Sequence, residues 1–214
     1  MHTLQDIAGT LGLSGHHIPK IAIYTLLTDS RKLINPESSL FFALSGPRRD
    51  GHFFIPELYK AGLRYFVVSE KPNAKNYPGA LFLTVNNVLA ALQKLAAFHR
   101  SKFDIEVIGI TGSNGKTIVK EWLYQLLQAD KTIVRSPKSY NSQIGVPLSV
   151  WEIESANDLA IFEAGISQPG EMQRLREIIQ PTIGVITNIG SAHSEGFKNN
   201  TEKLAEKLLL FKDS

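Results

Sequence analysis

Val107-Ile108-Gly109-Ile110-Thr111-Gly112-Ser113-Asn114-Gly115-Lys116-Thr117 reads as an apolar strand running into a glycine-bearing turn that opens a helix on Lys-Thr. Each residue type has a chemical reason. Glycines let backbone N–H groups close around phosphate oxygens, and the N-terminus of the following helix adds a favourable field for an anion. Lys116 is placed to bring positive charge near the β and γ phosphates of a nucleotide, and Thr117 to offer its hydroxyl to Mg2+. The strict phosphate-loop pattern has a glycine where this chain has Ile110, so the match is to the shorter Gly-x-x-Gly-Lys-Thr form. Thr111, Gly112, Ser113, Asn114, Gly115, Lys116 and Thr117 are therefore the candidate ATP-binding residues. Kinases, GTPases, motors and ligases share such a loop, which names the cofactor and leaves the reaction open.

Downstream of the loop the pattern alternates strand, turn and helix. Lys116–Gln128 is expected to be a helix with Trp122, Leu123, Leu126 and Leu127 on one side. Strands follow at Thr132–Val134, Leu159–Glu163 and Ile183–Thr187, with helical patterns at Glu171–Ile179 and Thr201–Phe211. This alternation implies a parallel sheet with crossover helices. Upstream the elements are shorter and mixed. Thr3 caps a helix through Leu11 that Gly12 ends, Leu40–Leu44 is a buried strand, and Ile55–Ala61 is a short helix stopped by Gly62. Strands at Arg64–Val68 and Ala80–Val85 precede a helix that Asn86 caps and that runs to about Arg100. The fold class is α/β in two parts. A small mixed α/β domain over 1–102 precedes, from 103 to 214, the first part of a mostly parallel phosphate-loop domain, with the boundary near Ser101–Asp104.

Composition bounds the function. The 214 residues are 43% hydrophobic and 20% charged, as in a soluble globular protein, which excludes disordered, collagen-like and coiled-coil readings. The absence of cysteine excludes a disulfide framework, a zinc-thiolate site and a thiol nucleophile. Lys and Arg number 23 against 20 acidic residues and are scattered, so the net charge of +3 argues for no nucleic-acid partner. No apolar run approaches the roughly 18–20 residues of a membrane span. The N-terminus also lacks a secretory signal, and the expected location is cytoplasmic.

Further candidates lie at strand exits, where open parallel sheets bind ligands. Glu163 ends an apolar strand, and a carboxylate there can hold the Mg2+ that bridges nucleotide phosphates. Ser167-Gln168-Pro169-Gly170-Glu171 reads as a turn and helix start framing the site. The strand at 183–187 delivers Asn188 and then His193 to the same edge. Lys203 and Lys207, interleaved with Glu202 and Glu206, read by default as a solvated helix face.

Taken together, these segments resemble the Mur ligases, ATP-dependent amide-forming enzymes of peptidoglycan synthesis. The segments that carry the likeness are Thr28-Asp29-Ser30-Arg31, Leu40-Phe41-Phe42-Ala43-Leu44-Ser45-Gly46, Arg48-Arg49-Asp50-Gly51-His52, the Thr111–Thr117 loop, Asn141 through Pro147, Glu163 to Glu171, and Thr187 to His193. They span nearly the whole chain in order. The Ile-Gly-Val-Pro-Leu and Ser-Gln-Pro-Gly-Glu segments favour the branch that adds D-Ala-D-Ala to UDP-N-acetylmuramoyl-tripeptide. Asp-Ser-Arg and Asp-Gly-His occur also in the branch that adds a diamino acid or lysine to the dipeptide. That branch, and a phosphate-loop module without amide chemistry, stay open as alternatives.

The resemblance implies phosphorylation of a substrate carboxylate by ATP and attack on the acyl phosphate by an amine. It implies Lys116, Asn141, His193 and Lys207 as catalytic residues, Thr117, Glu163 and His193 as Mg2+ ligands, and Asn188 among the ATP contacts. It gives Ser30, Arg31, Arg48, Asp50, Gly51 and His52 to the UDP-sugar-peptide, and aligns Lys207 with a lysine that CO2 converts to a carbamate. Family members are longer, so the resemblance also implies a fragment with little ligase activity alone; a monomer is expected.

Overall fold

The computed structural model describes residues 2–13, 18–46, 49–190 and 196–212. It is an α/β protein whose chain packs as two compact units, one up to Leu95 and one from Ala96 onward. The division falls inside a helix, upstream of the boundary expected near Ser101–Asp104, because the last turn of that helix belongs to the second unit. There the His99 ring lies 3.0 Å from the Ile153 carbonyl, and Arg100 Nε donates to the Ile179 carbonyl at 3.0 Å.

In the first unit β1 (His2–Thr3) leads into α1 (Leu4–Thr10), and β2 (Ala22–Ile23) pairs antiparallel with β1. Thr3 and Asp6 close a reciprocal capping box at the start of α1. The main sheet takes β3 (Thr25–Leu27) and β4 (Ser39–Phe42). A small hairpin, β5 (Ser45–Gly46) and β6 (Arg49–Asp50), and α2 (Ile55–Lys60) come next. Then follow β7 (Tyr65–Val68), β8 (Leu81–Thr84) and α3 (Val88–Arg100). The order β3-β4-β7-β8 is parallel throughout. All four residues of β4 are buried, the signature of a strand covered on both faces. On one face Phe41 and Phe66 pack with Leu27, Ile55 and Leu58. Asn87, not Asn86, caps α3, its side chain accepting from the Ala90 amide at 2.9 Å.

The second unit is built on β9 (Glu106–Thr111), α4 (Lys116–Leu127), β10 (Ile133–Arg135), α5 (Gly145–Val150), β11 (Leu159–Glu163), α6 (Glu171–Ile179), β12 (Ile183–Ile186) and α7 (Asn200–Leu208). Its sheet runs β10-β11-β9-β12, all parallel. α4 covers one face, setting Val119, Leu123 and Leu127 against Ile108, Ile110, Leu159 and Ile161. The opposite face packs Val107, Ala160 and Phe162 against α5, α6 and Leu210. Helices on both faces of a parallel sheet make this half doubly wound, so ligands are expected beyond the carboxyl ends of the strands. Among the described residues no helix is long and apolar enough to cross a membrane.

Two expectations are corrected. Trp122 and Leu126 are exposed at 62% and 74% and do not join Leu123 and Leu127 on the inner face. At 100° per residue the stripe Ile118-Trp122-Leu126 lies on the shoulder of α4, outside the arc the sheet covers. Lys203 and Lys207 are not a solvated face: both are buried, because their stems turn inward and their ammonium groups find backbone carbonyls.

Candidate functional site

β9, β11 and β12 end at one edge of the sheet, where Thr111 stands opposite Ile186 and Glu163 opposite Ile110. The loop after β9 turns through Gly112, at φ +142, where an added Cβ would overlap the Thr187 hydroxyl. Only glycine suits that backbone and that space. Gly115, at φ +80, opens α4 with no side chain capping the helix. The first-turn amides thus form the kind of terminus that accepts phosphate oxygens.

The loop is bolted to the exit of β12. Ser113 N donates to the Asn188 carbonyl at 2.9 Å and Asn114 N to the Asn188 side chain at 3.0 Å. The Thr187 hydroxyl donates to the Asn114 carbonyl at 2.6 Å, and Gly190 N to the Ser113 hydroxyl at 3.0 Å. Asn188 is therefore a clamp on the loop. Thr111 is fully buried, its hydroxyl donating to the Ala164 carbonyl at 2.9 Å.

Lys116 folds over the loop, its Nζ 2.8 Å from the Gly112 carbonyl. Burial holds it below the ordinary lysine range, against the pull of Glu163. Lys207 reaches the same carbonyl at 3.2 Å from α7. Its pKa is lowered to about 8, first by burial and then by the neighbouring charges of Lys116 and Lys203. Lys203 donates to the Gly190 carbonyl at 2.6 Å.

Glu163 is completely buried. Its Oε2 accepts from the Thr117 hydroxyl at 3.0 Å and from Asn141 Nδ2 at 3.4 Å. The structure thus brings to Glu163 two residues, Thr117 and Asn141, that the sequence placed 46 and 22 positions from it. Oε1 lies 3.0 Å from Lys120 Nζ, an ion-pair contact outside the angles of a formed hydrogen bond. The carboxylate keeps lone-pair capacity, and together with the Thr117 hydroxyl it offers the hard oxygen donors that Mg2+ takes. Among the described residues no group of three or more His, Asp or Glu side chains converges on one point. The donor set fits an ion that draws its remaining ligands from phosphate and water. His193 lies outside the described residues.

Sequence reasoning missed Lys120. It sits one helical turn beyond Lys116, beside the apolar positions Val119 and Leu123, and a lysine at the margin of an inward face was the available signal.

In the first unit, Arg31 forks onto Asp29 with Nε–Oδ1 at 2.9 Å and Nη2–Oδ2 at 2.6 Å, which holds the Asp29 carboxyl at about 2. Asp29 also caps the 3-10 turn Ser30–Lys32. Asp50 accepts from the Ser45 hydroxyl, His52 N and His52 Nδ1 at 2.9, 3.0 and 2.6 Å. The other ring nitrogen, Nε2, accepts from Ser69 N at 3.1 Å, which assigns the proton to Nδ1. His52 therefore straps the β5–β6 hairpin to the exit of β7. Gly51 is required by space, since a Cβ would come 2.7 Å from Leu44 N. An open cavity of about 390 Å³ beside this strap is lined by Gly46, Arg49, Asp50, Phe53 and Phe54. Arg48 lies outside the described residues.

Residues 110–214 match the Mur ligase middle domain. A UDP-N-acetylmuramoyl-tripeptide--D-alanyl-D-alanine ligase of Borreliella burgdorferi is 38% identical over 184 residues, which cover 83% of this chain and 40% of that protein. The chain belongs to the Mur ligase family. Among solved Mur ligases, MurF from Acinetobacter baumannii superposes with a TM-score of 0.90 at 29% identity, covering 99% of this chain and 46% of that one. MurF ligase from Thermotoga maritima, solved in complex with ADP, gives 0.78 at 30% identity over 89% of this chain and 43% of that one. The chain spans about 40% of the length of the Borreliella ligase.

Proposed function

We propose that this chain carries the UDP-muramoyl-peptide-binding unit and the nucleotide-binding core of an ATP-dependent ligase. That ligase joins D-Ala-D-Ala to UDP-N-acetylmuramoyl-tripeptide in peptidoglycan synthesis. The observation that carries the reading is the buried Glu163 carboxylate accepting from the Thr117 hydroxyl directly behind the phosphate loop. The curated relative named for this reaction and the ADP complex of a related ligase support it.

An ionised carboxylate is a poor acyl donor because its leaving group would be oxide. In the proposed reaction a carboxylate oxygen of the tripeptide attacks the γ-phosphorus of ATP, ADP leaves, and an acyl phosphate remains. The amine of D-Ala-D-Ala then attacks the acyl carbon, phosphate departs, and the amine gives up a proton. The α4 N-terminus and Lys116 bind phosphate oxygens. Thr117 and Glu163 hold Mg2+, with Asn141 orienting the carboxylate. Bound Mg2+ offsets the repulsion between the γ-phosphate and the incoming carboxylate. His193 is proposed as a second metal ligand on the family likeness. Lys207 is proposed as the lysine that forms a carbamate. With its pKa lowered to about 8, Lys207 offers far more free amine near neutral pH than an ordinary lysine does. Ser30, Arg31, Arg48, Asp50, Gly51 and His52 are proposed for the UDP-sugar-peptide, with Asp50 and His52 shaping the hairpin rim as well.

Calorimetric titration with UDP-N-acetylmuramoyl-tripeptide, and separately with ADP in the presence of Mg2+, tests the two halves. Saturable binding of both is expected. ADP binding without affinity for the muramoyl peptide would reduce the chain to a nucleotide-binding module.

A further inference from the structure

Lys120 is the most completely buried cation described in the second unit, at 0% exposure, and no step of the proposed chemistry uses it. Its ammonium donates to the carbonyls of Ser136 at 2.7 Å and Lys138 at 2.5 Å. It also lies 3.0 Å from Glu163 Oε1 and 3.1 Å from Glu121 Oε1. Ser136 closes the circuit, since its hydroxyl accepts from Glu163 N at 3.2 Å while its carbonyl accepts from Lys120. One side chain on α4 thereby holds both the Glu163 carboxylate at the end of β11 and the loop after β10. That loop passes through Lys138 in the left-handed region, at φ 51, an unfavourable conformation for a residue with a side chain. Three residues later it presents Asn141, whose Nδ2 reaches Glu163 Oε2 and whose carbonyl accepts from Gly165 N at 2.8 Å.

We propose that Lys120 is a positioning residue for the divalent-cation site: it pins Glu163 and the 136–141 loop so that the carboxylate and Asn141 meet the ion that accompanies the nucleotide. It does not touch substrate or reacting atoms. Partners that orient a metal's ligands are commonly worth about 10–100-fold in metal affinity when removed. The inference rests on the nucleotide and Mg2+ reading above.

The test is calorimetric titration of the 214-residue chain with ADP, with and without Mg2+. In Lys120→Met the gain in ADP affinity that Mg2+ confers is expected to fall by at least about tenfold, while the Mg2+-free affinity stays within about threefold. Lys120→Arg, which keeps a charge and donors for both carbonyls, is expected to recover part of the gain. A purely structural role would lower the melting temperature and leave the Mg2+ gain intact, and that result overturns the proposal. If the wild-type chain binds ADP with no Mg2+ gain, or does not bind it, the reading under Proposed function fails and takes this inference with it. Should Lys120→Met not fold, the wild type decides. The Lys120 15Nζ resonance, identified by its absence from Lys120→Arg, is expected to move when Mg2+ is added to the ADP-bound chain, and an unmoved resonance overturns the proposal.

Discussion

Gly112 and Lys207 meet at one carbonyl oxygen and show how single residues set the site. Gly112→Ala puts a Cβ against the Thr187 side chain at a φ of +142 that L residues rarely adopt. The expected cost is about 1–3 kcal/mol of stability, with ADP binding lost because the loop can no longer close. Urea unfolding alongside ADP titration checks both, and an alanine variant of wild-type stability and affinity would refute the assignment. Lys207 gives a pH signature. Its folded pKa is about 8 against an ordinary 10.5, so between those values the unfolded chain binds the proton that the folded chain has lost. Stability must therefore rise with pH across that window. Relative to Lys207→Met, the unfolding free energy is expected to increase by about 2 kcal/mol between pH 7.5 and 9.5. A parallel pH dependence in the two proteins would show that Lys207 is not held in this environment.

At the level of elements, α6 follows Gly170, which as glycine offers no side-chain cap. Its leading amides are taken by Glu206 of α7, whose Oε1 accepts from Gly170 N at 2.8 Å and Met172 N at 3.0 Å. Glu206→Ala is expected to cost about 1 kcal/mol, as loss of a local cap does, read as a lower urea midpoint at unchanged slope. The α4 shoulder makes an optical prediction. The chain has two tryptophans: Trp122 is 62% exposed, whereas Trp151 is 7% exposed and its ring centre lies 4.7 Å from that of His99. Trp122→Phe should remove the component of fluorescence that acrylamide quenches readily. Unchanged quenching would mean that the stripe Ile118-Trp122-Leu126 is covered after all.

For the whole molecule, each unit depends on a core centred on its own parallel sheet. Phe162 is fully buried in the second-unit core, one residue before Glu163. Phe162→Ala is expected to cost about 3–5 kcal/mol in urea unfolding and to weaken Mg2+-dependent ADP binding through displacement of Glu163. A loss below about 1 kcal/mol would argue that the core is not packed as described. The strand–loop–helix at 107–117, the apolar strands at 159–163 and 183–187, and the family were legible in the sequence, because a parallel strand and a phosphate loop are local patterns. α5 over Gly145–Val150 and the two-residue strands were not read, since a Gly-Val-Pro start and such short pairings carry little periodic signal. The fate of a charged side chain is not local either. Lys203 and Lys207 have the sequence surroundings of a solvated helix and Lys120 only a place at the margin of an inward face, and the placement of carbonyls and a carboxylate from distant segments turns all three inward. By itself the sequence determined which groups could bind phosphate and a hard cation and along which sheet edge they would emerge. Tertiary structure decided which of them meet, because an ammonium is buried only where folding has already gathered enough oxygen atoms to replace its water.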